Sequence, residues 1–172
     1  MFFTSAGAEE ILLRQKEAQD GALPSGNSVA MLNILRLARM TADAGLESKA
    51  AQIAQAFSAQ IAQYPAAYTQ FLIALDFAFG PSYEIIIAGE PDDEATKEMI
   101  KALRNIYLPN KVVFFPPPAG DEKEILTIAP FLNGFSCADS KAKAYICTDY
   151  SCRKPAESVA ELIKLLSEEN LK

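Results

Sequence analysis

From Ser28 to Phe79 the apolar positions recur every three or four residues, the period of an amphipathic helix, and no stretch alternates as a half-buried strand would. The spacing predicts three helices. The first, about Ser28 to Thr41, gathers Met31, Leu32, Leu35 and Ala38 on one face and turns Arg36 and Arg39 elsewhere. The second, about Leu46 to Gln63, repeats Ala50, Ile53, Ala54, Phe57 and Ile61. The third opens at Pro65, a first helical position where a missing N–H is harmless, and stacks Tyr68, Phe71, Leu72, Leu75 and Phe79. Short connections make neighbours antiparallel.

Beyond Gly80-Pro81 the period changes. Tyr83 to Ala88 (YEIIIA), Lys111 to Phe115 (KVVFF) and Lys143 to Cys147 (KAYIC) are short apolar runs rich in branched and aromatic residues, each a predicted buried strand. Between the first two, Ala95, Met99, Leu103 and Ile106 share a helical face, and acids crowd the first turn where the dipole favours them. That is a βαβ unit with a right-handed crossover. The connection Pro116 to Ala142, with a short helix near Glu122 to Ile128, is long enough for a second crossover, and a last helix, Pro155 to Leu166, buries Val159, Ala160, Ile163 and Leu166 ahead of a frayed SEENLK tail. The predicted class is therefore α+β: antiparallel helical hairpins over residues 1–80, then a small α/β module over 81–172 with a mainly parallel three-stranded sheet.

Composition narrows the function. A chain of 172 residues, half of them apolar, suffices for one ordinary core or two small ones. Its 22 acids against 16 bases give a net charge of −6, and no Lys/Arg cluster tracks a phosphate backbone, so nucleic acid is not an expected partner. The most apolar run, FLIALDFAF (Phe71 to Phe79), is interrupted by Asp76 and falls far short of the roughly 20 residues that span a bilayer. No membrane partner is expected. The opening MFFTSAGAEE has no basic n-region, long apolar stretch or cleavage site, so a cytoplasmic location is expected.

The chain contains no histidine, which removes the usual neutral-pH base and the commonest metal ligand and excludes Ser-His-Asp and Cys-His sites within it. Three cysteines, Cys137, Cys147 and Cys152, are an odd number without a dense framework and fit reduced thiols better than structural disulfides. They also leave a tetrahedral zinc site one ligand short unless a second chain contributes, so no metal is expected. Nor is a nucleotide cofactor: the turn after the first strand, AGEPDDE, would face a phosphate with Glu90, Asp92, Asp93 and Glu94 where a glycine-rich cradle is needed.

Three places carry candidate chemistry. DGALPSGNSV (Asp20 to Val29) reads as a loop that turns at Gly21 and again at Pro24 to Gly26 and caps a helix with Asn27 or Ser28. The alternative is a polar lining, Asp20, Ser25, Asn27 and Ser28, whose short hydroxyl and amide groups suit a sugar better than a lipid. Asp76, inside an apolar helix, is a solvated helix edge or a functional acid. In YICTDYSCRKP, Arg153, Lys154 and the dipole of the last helix favour a thiolate at Cys152, making Cys147 and Cys152 a redox-active or disulfide-forming pair, beside the plainer reading of two small buried apolar residues.

Three ordered stretches, KEAQDGALPSGNSVAMLNILRLARM, ALDFAFGPSYEIIIAG, and APFLNGFSCADSKAKAYICTDYSC followed by a proline, resemble the C-terminal part of the YyaL-like, thioredoxin-domain-containing proteins, the spermatogenesis-associated protein 20 family. The resemblance covers nearly the whole chain. It implies an upstream thioredoxin-like domain and an α/α toroid similar to six-hairpin glycosidases and N-acylglucosamine 2-epimerases, of which this chain holds the last helices, as a fragment or truncated product. Asp20, Gly21, Ser25, Gly26, Asn27 and Ser28 match the family's DGA-PSGNS run, and Cys147 and Cys152 its terminal cysteine pair. The histidines of epimerase-like toroids have no counterpart, so the catalytic residues stay unknown and the chain alone is expected to catalyse nothing.

Cutting three helices from a ring would strip partners from Phe57/Ile61 and Phe71/Leu75, so a homodimer or larger assembly is expected. The leading functional expectation is a loop bordering a carbohydrate-type cavity in the intact family protein. A thiol-redox partner using Cys147 and Cys152, and a purely structural or assembly module, are the alternatives.

Overall fold

The computed structural model describes residues 16–116, 123–135 and 141–169. Cys137, and Glu122 at the start of the expected short helix, lie outside them.

Helix α1 (Gly26–Thr41) starts where the Ser25 hydroxyl accepts the Ser28 N–H, and it ends at Ala42, which turns left-handed at φ 55°. Helix α2 (Ala44–Gln63) is capped by Asp43, whose carboxylate accepts the N–H groups of Gly45 and Leu46. Pro65 does not open the next α-helix as the sequence suggests. It begins a single 3₁₀ turn (Pro65–Ala67), and α3 (Thr69–Phe79) starts only after Tyr68, whose extended φ of −134° breaks the run. These helices form one compact unit, with the described residues up to Arg39 and Asp43–Gly80; Met40–Ala42 and the chain from Pro81 onward form another.

The helical unit buries Met31, Ala38, Ala50, Phe57, Ile61, Phe71, Ala74 and Phe77. Phe57 and Phe71 meet edge to face with ring centres 6.1 Å apart, so the stripes that the sequence left without partners find each other inside the unit. Other apolar groups stay outside: Leu72, Ile73 and Phe79 along the outer face of α3, Phe79 being 84% exposed, and Leu23, Leu37 and Tyr64 elsewhere in the unit.

In the second unit, β1 (Tyr83–Ala88), α4 (Glu94–Asn105) and β2 (Lys111–Phe114) form the expected strand-helix-strand, β2 running parallel to β1. The rest of the sheet corrects the expectation. β3 (Lys143–Thr148) lies antiparallel on the other side of β1, and a two-residue β4 (Ser151–Cys152) adds antiparallel to β3, so the sheet is four-stranded and mixed, in the order β2-β1-β3-β4. The connection, which includes α5 (Lys123–Ile128) and the 3₁₀ turn Pro130–Gly134, does not make a second parallel crossover: β3 runs antiparallel to β1 and so opposite to β2.

Both faces of β1 are buried. Tyr83, Ile85 and Ile87 pack with Met99 and Leu103 of α4 and with Leu162 and Leu166 of α6 (Val159–Glu169). On the other face Phe114 meets Phe131 edge-on at 5.4 Å and Tyr145 meets Phe135 at 4.9 Å. α6 begins later than Pro155 because Ala156 is held extended, exchanging backbone hydrogen bonds of 2.8 and 2.9 Å with Ala144. Its buried face shifts accordingly: Leu162 and Leu166 are inside, while Ala160 and Ile163 are exposed. At the far end of α4 the Lys111 ammonium donates to the carbonyls of Leu103 and Ile106, closing the helix.

Candidate functional site

The DGALPSGNSV loop spends its polar atoms on the chain itself. Asp20 accepts the Ser25 N–H on one carboxylate oxygen and the Gln70 N–H on the other, both at 2.8 Å, while its own N–H donates to the Ala67 carbonyl. It thereby ties the entry of α1 to the first turn of α3. Ser25 is the cap of α1, with its hydroxyl 2.8 Å from that of Ser28. Asn27 and Ser28, expected as the caps, are instead inside α1 and buried, and they donate backwards to the carbonyls of Glu17 and Ala18 at 2.6 and 3.0 Å. Gly21 and Gly26 are exposed, with open space where a Cβ would stand.

Asp76 is not brought to this loop. It lies on the exposed side of α3, and six residues of helical rise place it about 9 Å along the axis from Gln70. The helical unit also holds a cavity of about 200 Å³ lined by Met31, Leu35, Arg39, Glu47, Leu75 and Phe79 among others. None of the loop candidates lines it, nor does Asp76.

Cys147 and Cys152 do come together. A two-residue turn, Asp149-Tyr150, connects β3 to β4, and its register sets Cys147 directly opposite Cys152. Their sulfurs are joined in a disulfide. The expectation of reduced thiols fails for this pair because the turn, invisible in a cysteine count, fixes the two side chains as cross-strand neighbours. The helix-dipole argument for a thiolate at Cys152 falls too: α6 begins only at Val159, and the dipole's influence fades within one turn. The two residues are unequally placed: Cys147 is 1% exposed, whereas Cys152 is exposed.

Beneath the hairpin is a residue that the sequence reading passed over. Glu84 is the acid inside YEIIIA, pairs in register with Cys147 across β1 and β3, and is 1% exposed. Its carboxylate accepts the N–H of Tyr150 at 3.2 Å. Asp149 and Tyr150 have φ of 49° and 59°, the left-handed pair that a tight hairpin needs and that favours glycine or asparagine. The Tyr150 ring leans on Phe131, centres 6.2 Å apart. A lone acid in an otherwise apolar strand was the available signal.

Among the described residues no group of three or more acids or cysteines is arranged to hold a metal, and no helix is long and apolar enough to cross a membrane.

The chain is 34% identical over 158 residues to spermatogenesis-associated protein 20 of Rattus norvegicus, and 34% identical over 155 residues to that of Homo sapiens; these matches cover 91% and 90% of the chain and 20% of each relative. It is also 25% identical over 166 residues to an uncharacterized protein of Caenorhabditis elegans, covering 96% of the chain and 22% of that protein. The chain thus spans about a fifth of the length of the curated relatives it matches. No family model and no solved structure matches it.

Proposed function

Because the chain belongs to the spermatogenesis-associated protein 20 family, we propose that it corresponds to a stretch of such a protein and that its chemistry is thiol–disulfide exchange at Cys147–Cys152. The unequal exposure of the two residues carries this reading: the exposed Cys152 is the one an attacking thiolate would reach, and the buried Cys147 is the leaving group. A thiolate of a partner dithiol attacks the Cys152 sulfur. The S–S bond breaks, its electron pair leaves on Cys147, and a mixed disulfide joins Cys152 to the partner. The partner's second thiolate then attacks the partner's own sulfur and releases Cys152. The partner loses two electrons and becomes the disulfide, and the protons it sheds to solvent are matched by those taken up at Cys147 and Cys152. By family resemblance, the partner dithiol is the thioredoxin-like domain.

The test is thiol accessibility in the native chain. In a Cys137→Ser background, Cys152 in the Cys147→Ser variant should react with Ellman's reagent at least tenfold faster than Cys147 does in the Cys152→Ser variant, and its thiolate should attack the disulfide of an oxidised C-x2-C protein and be trapped with it as a mixed disulfide, one partner cysteine leaving as the thiolate. Two equally slow thiols would remove the proposal.

A second reading, an assembly module, is supported by the exposed Leu72, Ile73 and Phe79 on α3. The carbohydrate-type cavity has less support, since the polar atoms expected to line it already hold the chain together.

A further inference from the structure

We propose that Glu84 is the positioning residue that sets the redox equilibrium of the Cys147–Cys152 pair. The inference rests on the reading of that pair as an exchanging one, and it concerns what decides how firmly the bond holds.

The argument starts from the turn. A two-residue hairpin puts both central residues at positive φ, and tyrosine is poorly suited to that region, so an unsupported Asp149-Tyr150 turn would readily relax. Relaxation would swing Cys152 away from Cys147, because β4 is only two residues long and has β3 as its sole neighbour in the sheet. Glu84 opposes this from below. Its carboxyl oxygen takes the Tyr150 N–H at 3.2 Å, and a hydrogen bond at the edge of a buried strand is costly to lose once its acceptor is removed. Strand β1, buried on both faces and paired on both sides, is the most firmly held element of the sheet, so the turn is anchored to something that does not yield.

The consequence for the sulfurs follows from effective concentration. In the reduced state, two thiols held opposite each other on a fixed hairpin re-form their bond more readily than two thiols on a loose one. Glu84 therefore shifts the couple toward the disulfide, and losing its acceptor shifts the couple toward the dithiol.

The experiment equilibrates the full chain and its Glu84→Gln and Glu84→Met variants with mixtures of oxidised and reduced dithiothreitol, then measures the reduced fraction at Cys147 and Cys152 by alkylation and peptide mass. Glutamine keeps an acceptor oxygen and should stay within about twofold of the parent. Methionine keeps the volume and loses the acceptor, and should shift the equilibrium about tenfold toward the dithiol, which is about 30 mV for a two-electron couple. A second arm adds Tyr150→Gly to Glu84→Met: glycine takes positive φ unaided, so the double variant should return part of the way. An unmoved Glu84→Met, a Glu84→Gln displaced as far as Glu84→Met, or a double variant with no recovery would each overturn the inference. Exchange with a C-x2-C protein is scored separately. If the parent fails to exchange while Glu84→Met still shifts in dithiothreitol, the exchange reading falls and the role of Glu84 stands; the opposite pattern sinks Glu84 alone.

Discussion

Asp20 divides its two carboxylate oxygens between the entry of α1 at Ser25 and the start of α3 at Gln70, the latter fifty positions away from it in the chain. A side chain with two backbone partners is a fastener. Asp20→Ala should lower stability by about 2 kcal/mol, the sum of a lost cap and a lost charge-assisted bond. Asp20→Asn, which retains one acceptor oxygen, should lose about half as much. Urea midpoints check both, and an unchanged midpoint for the alanine variant would remove the fastening role. At this scale the sequence was only partly legible. That DGALPSGNSV would turn and cap was readable from Gly, Pro and Ser, yet the capping residue is Ser25, because Asn27 and Ser28 reach carbonyls ten residues upstream. Local propensity names the residue types that can cap and does not say which of several neighbours is drawn to a distant partner.

Among the elements, periodicity located the helices and the three longer strands well, and it misjudged how the strands run. β1 is buried on both faces, the pattern of a strand inside a parallel sheet, while its ladder with β3 is antiparallel. Direction is set by the connection, and the stretch between β2 and β3 has the length for either outcome. β4 was too short to leave any period at all. The turn after β1 offers a local test. A Cβ on Gly89 would collide with Thr96 Oγ1, and Thr96 is fully buried in the first turn of α4, with its N–H held by Asp93. Gly89→Ala should therefore destabilise the chain by about 1–3 kcal/mol, measured by thermal or urea unfolding. A neutral result would mean that Thr96 can rotate away without loss.

At the scale of the whole molecule, the outer face of α3 carries the assembly reading. Leu72, Ile73 and Phe79 share its outer face with Asp76. If this face is an assembly surface, light scattering on the eluting chain at micromolar concentration should report a dimer or larger species, and Ile73→Ser with Phe79→Ser should reduce it to a monomer. A monomeric parent would end the assembly reading. The family was legible from three ordered stretches because such motifs preserve residue order where composition does not. The internal pairing of Phe57 with Phe71 was not, since a stripe on one helix does not announce which neighbouring helix receives it.

The placement of β1 has a kinetic consequence. A strand with a ladder on each edge and a packed layer on each face releases its amides to solvent only when the whole α/β unit opens, so Ile85, Ile86 and Ile87 mark the last structure there to be lost on unfolding, and the two-residue β4 the first.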